Sequence, residues 1–363
     1  MSVSFQRSAK GFKSLLHSET FLYIVKRIAQ GLLTLLIASI LSFIIIELAP
    51  GDYLDTLKAN PKISQETLAQ YIKLFNLEKP KIPEDWPSWR ANLVMWQYQI
   101  GKYWAWLVQV VTRFNFGTSF LYSRPVSALI MERIPATLLM ALSSIIITWT
   151  IALPLGILGA VKQNRAVDNI MRVGSYLGQG FPSFIAALLL LIFAQNVSPW
   201  LPVGNMTSIN HSDLSPAGKV LDIAWHMILP VFALTITGFG GLQRLMRGQL
   251  LDVLRQDYVQ TARAKGLPEN KVIYVHALRN AVNPLITLLG FEFASLLGGA
   301  FIAEYFFNWP GLGRLILQAV NGKDLYLVLG SLMMGAAMLI IGNLLADLLL
   351  KVVDPRIKLE DLK

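Results

Sequence analysis

The residues of this 363-residue chain that could do chemistry are few and scattered. Its four histidines, His17, His211, His226 and His276, share no spacing that would set two on one metal, and no H-E-x-x-H pair exists. There is no cysteine, which excludes a disulfide framework, a thiol nucleophile and a thiolate metal site. Gly101-Lys102, Gly218-Lys219 and Gly322-Lys323 lack the upstream glycine of a phosphate-cradling loop, so ATP is not expected to be bound or split on this chain. No G-x-S-x-G turn is present either. No catalytic residue, metal ligand or cofactor is therefore expected here. Two carboxylates stand out because they lie in apolar runs. Glu292 would cost on the order of 3 kcal/mol at a bilayer centre, so it is expected to face a bundle interior or a wet path. It is either a contact for a cationic group of a cargo or a protonated acid bonded to a neighbouring helix. Asp347 is one helical turn from Lys351, which predicts an i,i+4 pair.

The elements that must position these residues follow from composition. Hydrophobic residues make up 54% and charged ones 15%, against about 25% charge in soluble domains, so the chain is too apolar for a globule. A bilayer span needs about 20 mostly apolar residues. Six runs qualify: Ile28–Leu48, Ala136–Val161, Val173–Val197, Met227–Leu242, Ala281–Ala303 and Tyr326–Leu350. The first is longer than a signal peptide's apolar core and lacks a cleavage pattern, so it reads as a retained anchor. With the N-terminus inside, the inner segments hold 19 Lys and Arg and the two short outer loops hold 3. Both termini are therefore expected to be cytoplasmic. The net charge of +10 then needs only anionic lipid, not nucleic acid.

The expected layout is a cytoplasmic segment 1–27, a first span 28–48, an extracytoplasmic segment 50–135, a core 136–350 with five spans, and a tail 351–363. In the outer segment, Gln65–Phe75 has helical spacing behind Ser64, a plausible N-cap. Trp96–Val111 is dense in Trp and Tyr, which suits either a helix at the membrane boundary or the core of a small outer subdomain. Gly298, Gly299, Gly330, Gly335 and Gly342 predict close helix packing more than hinges. Trp309-Pro310-Gly311 predicts a turn with an aromatic at the interface.

Loop 244–280 carries the most information. Leu250–Ala264 reads as one helix that stops at Gly266, a favoured residue just past a helix end. Pro268 suits the first position of a second helix, continuous with the fifth run. Ala262, Ala264 and Gly266 would give the elbow a small-residue face that another protein could approach. A basic helix resting on lipid is the other reading of the same spacing.

Tyr258-Val-Gln-Thr-Ala-Arg-Ala-Lys-Gly266 followed by His276-Ala-Leu-Arg-Asn280 resembles the EAA loop of ABC importer permeases in its peptide/nickel form. Gln260, Thr261 and Ala262 take the E-A-A places, Gly266 and Leu278 match, His276 stands for Ile and Arg279 for Pro; the departures are those of the peptide branch. Phe43–Asp52, Phe116–Ser119, Arg124-Pro125-Val126, Glu132–Leu138, Phe181–Phe184, Glu304–Gly313 and Asp354-Pro-Arg356 resemble further family segments, in order. The outer segment between Pro80 and Asn115 looks longer than the family's.

The resemblance implies an all-α integral membrane protein with six transmembrane helices. The fold is that of a type I ABC importer permease, with a partly helical insertion after the first span. It implies half of a translocation path for peptides or similar small solutes in a bacterial plasma membrane. The implied partners are a homologous second permease chain, two ABC ATPase subunits that hold ATP and Mg, and an extracytoplasmic solute-binding protein. It places the ATPase-coupling loop on Asp257, Tyr258, Gln260, Thr261, Ala262, Ala264, Lys265, Gly266 and Leu267. Family position suggests Trp309, Pro310 and Gly311 for an outer gate, and Glu292 is the candidate for the path. The competing readings are a gradient-driven carrier and a membrane scaffold. A carrier would want inverted repeats and a midplane ion site.

Overall fold

A computed structural model describes residues 19–48, 51, 53–58, 64–74, 78, 80–83, 85–180, 182–198 and 200–353. Among these the chain is helical, and the one β-bridge joins Thr118 and Pro125. In chain order the helices are α1 (Glu19–Leu48), α2 (Tyr53–Lys58), α3 (Gln65–Leu74), α4 (Ser88–Arg113), α5 (Val126–Val161), α6 (Ala166–Gly180), α7 (Ser183–Asn196) and α8 (Pro216–Leu254). There follow α9 (Asp257–Ala264), α10 (Glu269–Lys271), a π-helical stretch Val272–Ala277, α11 (Leu278–Ala281), α12 (Asn283–Phe306), α13 (Leu312–Asn321) and α14 (Leu325–Val353).

Helices α1, α5, α8 and α14 are each long and apolar enough to cross a bilayer, and α6 with α7 makes a fifth if the bent pair is one span. The fifth expected run is helical as α12. The third run is not one straight helix: α6 and α7 meet at 99°. Pro182 explains the break, because its ring clashes with the preceding turn and removes a donor. The fourth run is the middle of a much longer helix. Ser215 caps α8, its Oγ accepting from Gly218 N–H at 3.2 Å, and Pro216 occupies the first turn.

The chain divides into two compact units, residues 1–32, 136–313 and 338–363 in one and residues 33–135 and 314–337 in the other. In the first, α6 packs along the C-terminal half of α8. A Cβ on Gly178 would lie 2.7 Å from the Ile236 carbonyl, and one on Gly240 would lie 2.3 Å from the Ser175 carbonyl, so only hydrogen fits there. Ser175 Oγ donates to Gln243 at 2.7 Å, and Arg247 grips the fully buried Asp168 with bonds of 2.6 and 2.8 Å. Breaking such a buried pair from one side typically costs about 3–5 kcal/mol. At the other end of α8, Asp222 accepts from Ser208 N–H and pairs with His211 at 2.6 Å. Tyr23 and Arg27 of α1 both bond Asp347, at 2.7 and 3.0 Å. The expected partner Lys351 lies outside the described side chains.

In the second unit, Phe43, Tyr53, Trp106, Val110, Phe120 and Leu329 form the core. Ser64 caps α3 as expected, accepting from Thr67 N–H at 3.1 Å. Asp324 is fully buried and caps α14, accepting from Leu327 N–H at 3.2 Å, Ser119 Oγ at 2.6 Å and Leu121 N–H at 3.0 Å. Burial pushes its carboxyl above the ordinary aspartate value, outweighing these bonds. Gly330 sits against Val126, whereas Gly335 faces open space. The motif at Asp354-Pro-Arg356, Phe181, the segment 75–77, and the packing at Gly298 and Gly299 lie outside the described residues and side chains.

Candidate functional site

The loop between α8 and α12 begins with a break that sequence spacing did not predict. Leu250–Ala264 is not one helix. Helix α8 stops at Leu254, and Gln256 is extended, with φ −71° and ψ 148°. Gln260 Nε2 turns back to donate to the Leu254 carbonyl at 3.1 Å, satisfying an acceptor freed at that helix end. Gln260 thus has a local structural task.

Helix α9 ends as its residues dictate. Gly266 has φ +74°, and Gly266 N–H bonds the Arg263 carbonyl at 2.9 Å while Leu267 N–H reaches the Ala262 carbonyl at 3.4 Å. These two bonds are the Schellman pattern, which needs a left-handed residue at this place. Arg263 bonds Glu269 at 2.7 and 3.2 Å across the elbow, and this bond holds the Glu269 carboxyl below the usual range. Pro268 is the N-cap of α10, one place earlier than expected.

The helix that follows is not uninterrupted. It passes through the π-helical stretch, then turns at Val282 before α12. Pro284 accounts for the turn, since it has no N–H to offer the carbonyl four residues back.

The elbow rests on its own chain through one face. Val259, Ala262, Val272, Ala277 and Ala281 are buried in a cluster with Met246 and Leu250. Ala262 therefore belongs to the inner face and not to the expected approach surface, because a two-turn helix must bury something to stay folded. Asp257, Tyr258, Gln260, Thr261, Ala264, Lys265 and Gly266 are exposed, and Leu267 is half-buried. Tyr258 accepts from Asn280 Nδ2 at 2.7 Å. Thr261 Oγ1 donates to the Asp257 carbonyl at 2.8 Å. The result is a capped, internally bonded helix that offers most of its circumference to solvent.

The other candidate residues lie elsewhere in this unit. Glu292 accepts from Trp149 Nε1 of α5 at 2.5 Å, so it is bonded to a neighbouring helix. Trp309 is not at an interface: it is fully buried, and its Nε1 donates to the Ala136 carbonyl at 2.9 Å. The indole found a carbonyl partner inside, which is what lets a Trp be buried whole. Behind it lies a knot that sequence spacing did not reveal. Thr137 Oγ1 donates to the buried Glu304 at 2.6 Å and accepts from Leu312 N–H at 2.8 Å, with the Glu304 carboxyl pressed against Gly311. Among the described residues, no cluster of three or more His, Asp or Glu is placed to hold a metal.

Comparison with known proteins bears on the whole chain. Residues 152–359 match the family described as the binding-protein-dependent transport system inner membrane component, and residues 20–141 match its N-terminal family. The oligopeptide transport system permease protein AppB of Bacillus subtilis is 37% identical over 93% of this chain and 99% of its own. A Brucella suis protein named as a peptide permease is 37% identical over 93% of this chain and 98% of its own. The solved MetNI methionine ABC transporter, 16% identical, superposes with a TM-score of 0.50 over 62% of this chain and 97% of that one, a likeness of fold. The chain belongs to the inner membrane components of binding-protein-dependent transport systems and is the permease subunit of an ATP-driven importer.

Proposed function

We propose that this permease moves peptides or similar small solutes and that α9 receives the work of ATP hydrolysis from a separate subunit. The observation that carries the coupling role is the exposed, Schellman-capped helix Asp257–Ala264 with Gly266 at its elbow. The peptide class rests on the names of the relatives. The complete transporter would comprise this chain, a homologous second permease, two ABC ATPases holding ATP and Mg, and an extracytoplasmic binding protein. This chain would cross the membrane six times with both termini in the cytoplasm, as the 19-to-3 bias of Lys and Arg supports. Closure of the ATPase pair would push α9 and rock the packed helices between inward and outward access. Glu292 would line the path, and Trp309-Pro310-Gly311 would stand at its outer mouth.

Gly266 gives the test. Beyond its own backbone and its two chain neighbours, no heavy atom lies within 4 Å of where its Cβ would be, so backbone strain is what opposes substitution. Asn tolerates the left-handed region, whereas a β-branched residue does not. Gly266→Asn should transport at close to the normal rate. Gly266→Val should keep ATP hydrolysis but lower uptake per ATP at least fivefold. Normal coupling in Gly266→Val overturns the role of α9, and uptake driven by an ion gradient without ATP overturns the importer reading.

A further inference from the structure

Helix α4 has two apolar faces, and its own unit covers only one. The inner face carries Tyr103, Trp106 and Val110 into the core. The outer face carries Trp89, Leu93, Trp96, Ile100, Trp104 and Val111, each between 49% and 68% exposed. Their spacing of three, four or seven residues draws a single stripe along the helix. Such a stripe needs an occupant, because a large exposed apolar patch on a soluble surface is an aggregation liability.

Three observations identify that occupant. First, α4 is bonded beside the end of α1, a helix long enough to cross a bilayer. Glu47 accepts from Gln99 at 3.1 Å and from Lys102 at 3.2 Å, Phe43 packs on Tyr103 at 5.1 Å, and Tyr103 Oη meets Ser39 Oγ at 2.8 Å. Ser39 is nine residues before the end of α1 at Leu48, about 13 Å at 1.5 Å per residue. The middle of α4 therefore lies along the last turns of α1, from Ser39 to Glu47. Second, α1 exposes Ile37, Leu41 and Ile45 in that same stretch, so lipid-facing surface continues beside the stripe. Third, α4 holds no acidic residue, and besides Lys102, which pairs with Glu47, it carries Arg90 and Arg113, which match a phosphate-bearing surface, while its tryptophans suit the headgroup level.

We propose that the outer stripe of α4 is a lipid-contact surface, seated in the headgroup and upper acyl region of the leaflet that α1 leaves at Leu48. The assignment needs α1 to cross the bilayer and is independent of what is transported.

The absence of cysteine makes the test direct. Leu93→Cys, Ile100→Cys and Val111→Cys each place one nitroxide on the stripe while keeping every tryptophan. The assembled transporter is reconstituted in vesicles of phosphatidylethanolamine and phosphatidylglycerol. Collision with oxygen, which partitions into lipid, is compared with collision with a water-soluble nickel chelate. The expected result is oxygen exceeding nickel at least threefold at position 100. Nickel exceeding oxygen at positions 93 and 100 would put the stripe in water and overturn the proposal. Shielding from both reagents would mean that a second permease chain or another protein covers it, and would overturn the proposal equally.

Discussion

A methyl group added at Gly311 would lie 2.1 Å from Cδ of Glu304 and 2.2 and 2.3 Å from its two oxygens. No real side chain tolerates such approaches, so in Gly311→Ala the carboxyl must retreat by about 1 Å. Glu304 is fully buried, and the retreat pulls it off Thr137 Oγ1, now at 2.6 Å. A lost bond to a carboxylate costs about 1.5–3 kcal/mol, and overpacking adds about 1–3 kcal/mol. The expected destabilisation is about 3 kcal/mol, roughly a hundredfold in the folding equilibrium. Unfolding of the detergent-purified chain by SDS, followed by circular dichroism, measures it. The decisive arm is a double-mutant cycle with Glu304→Asp, whose shorter side chain withdraws the clashing atoms. In that background Gly311→Ala should cost under about 1 kcal/mol, giving a coupling energy near 2 kcal/mol. Costs that simply add within about 0.5 kcal/mol would refute the clash as the cause.

Two further outcomes follow from buried carboxyls. The Asp324 carboxyl keeps its proton to higher pH in the folded chain than in the unfolded one. Its contribution is therefore full below the unfolded value, about 3.9, and falls as pH rises toward the native value. Asp324→Asn should flatten that decline, and unfolding midpoints measured in steps between about pH 4 and pH 7 will show whether it does. Glu292→Gln keeps an acceptor for Trp149 Nε1 while removing any charge. If Glu292 contacts a cationic group of the cargo, uptake of a peptide with a free amine should fall about tenfold while its N-acetylated form is unaffected. Unchanged uptake of the free-amine peptide by the variant, or an equal fall for both peptides, would end that role.

Local signals carried much of this protein. Gly266 was legible as a helix stop because its reason is local: the Schellman cap needs a left-handed residue. Ser64 and Gly330 were legible for similar short-range or packing reasons. The true start of α8 was hidden, because Lys219, Asp222 and His226 interrupt the apolar pattern that marks a span. The break at Gln256 was hidden because the capping bond from Gln260 competes with a helical pattern that runs on smoothly. The knot at Glu304 joins side chains 167 residues apart, and the Asp168–Arg247 pair joins residues 79 apart, so neither leaves a mark on local spacing. The exposed half of α4 was undecided because core and boundary both favour aromatics. The structure gives one face of the same helix to the core and leaves the other outside.

As a fulcrum, the grip of α6 on α8 would sit off-centre along that 39-residue helix. The contacts with α6 run from Ile236 to Arg247, and Leu229, Val231, Ala233, Leu234 and Leu250 pack on other helices. Beyond them one arm, residues 216–235, is about 30 Å long, and the other, 248–254, is about 10 Å. Arms in a ratio of about three to one magnify travel and divide force. A shift of about 1 Å delivered at Leu254 would sweep Pro216 through about 3 Å, provided Pro230 does not absorb it as a bend. A small stroke on one side of the membrane would thus arrive as a wide, weak swing on the other.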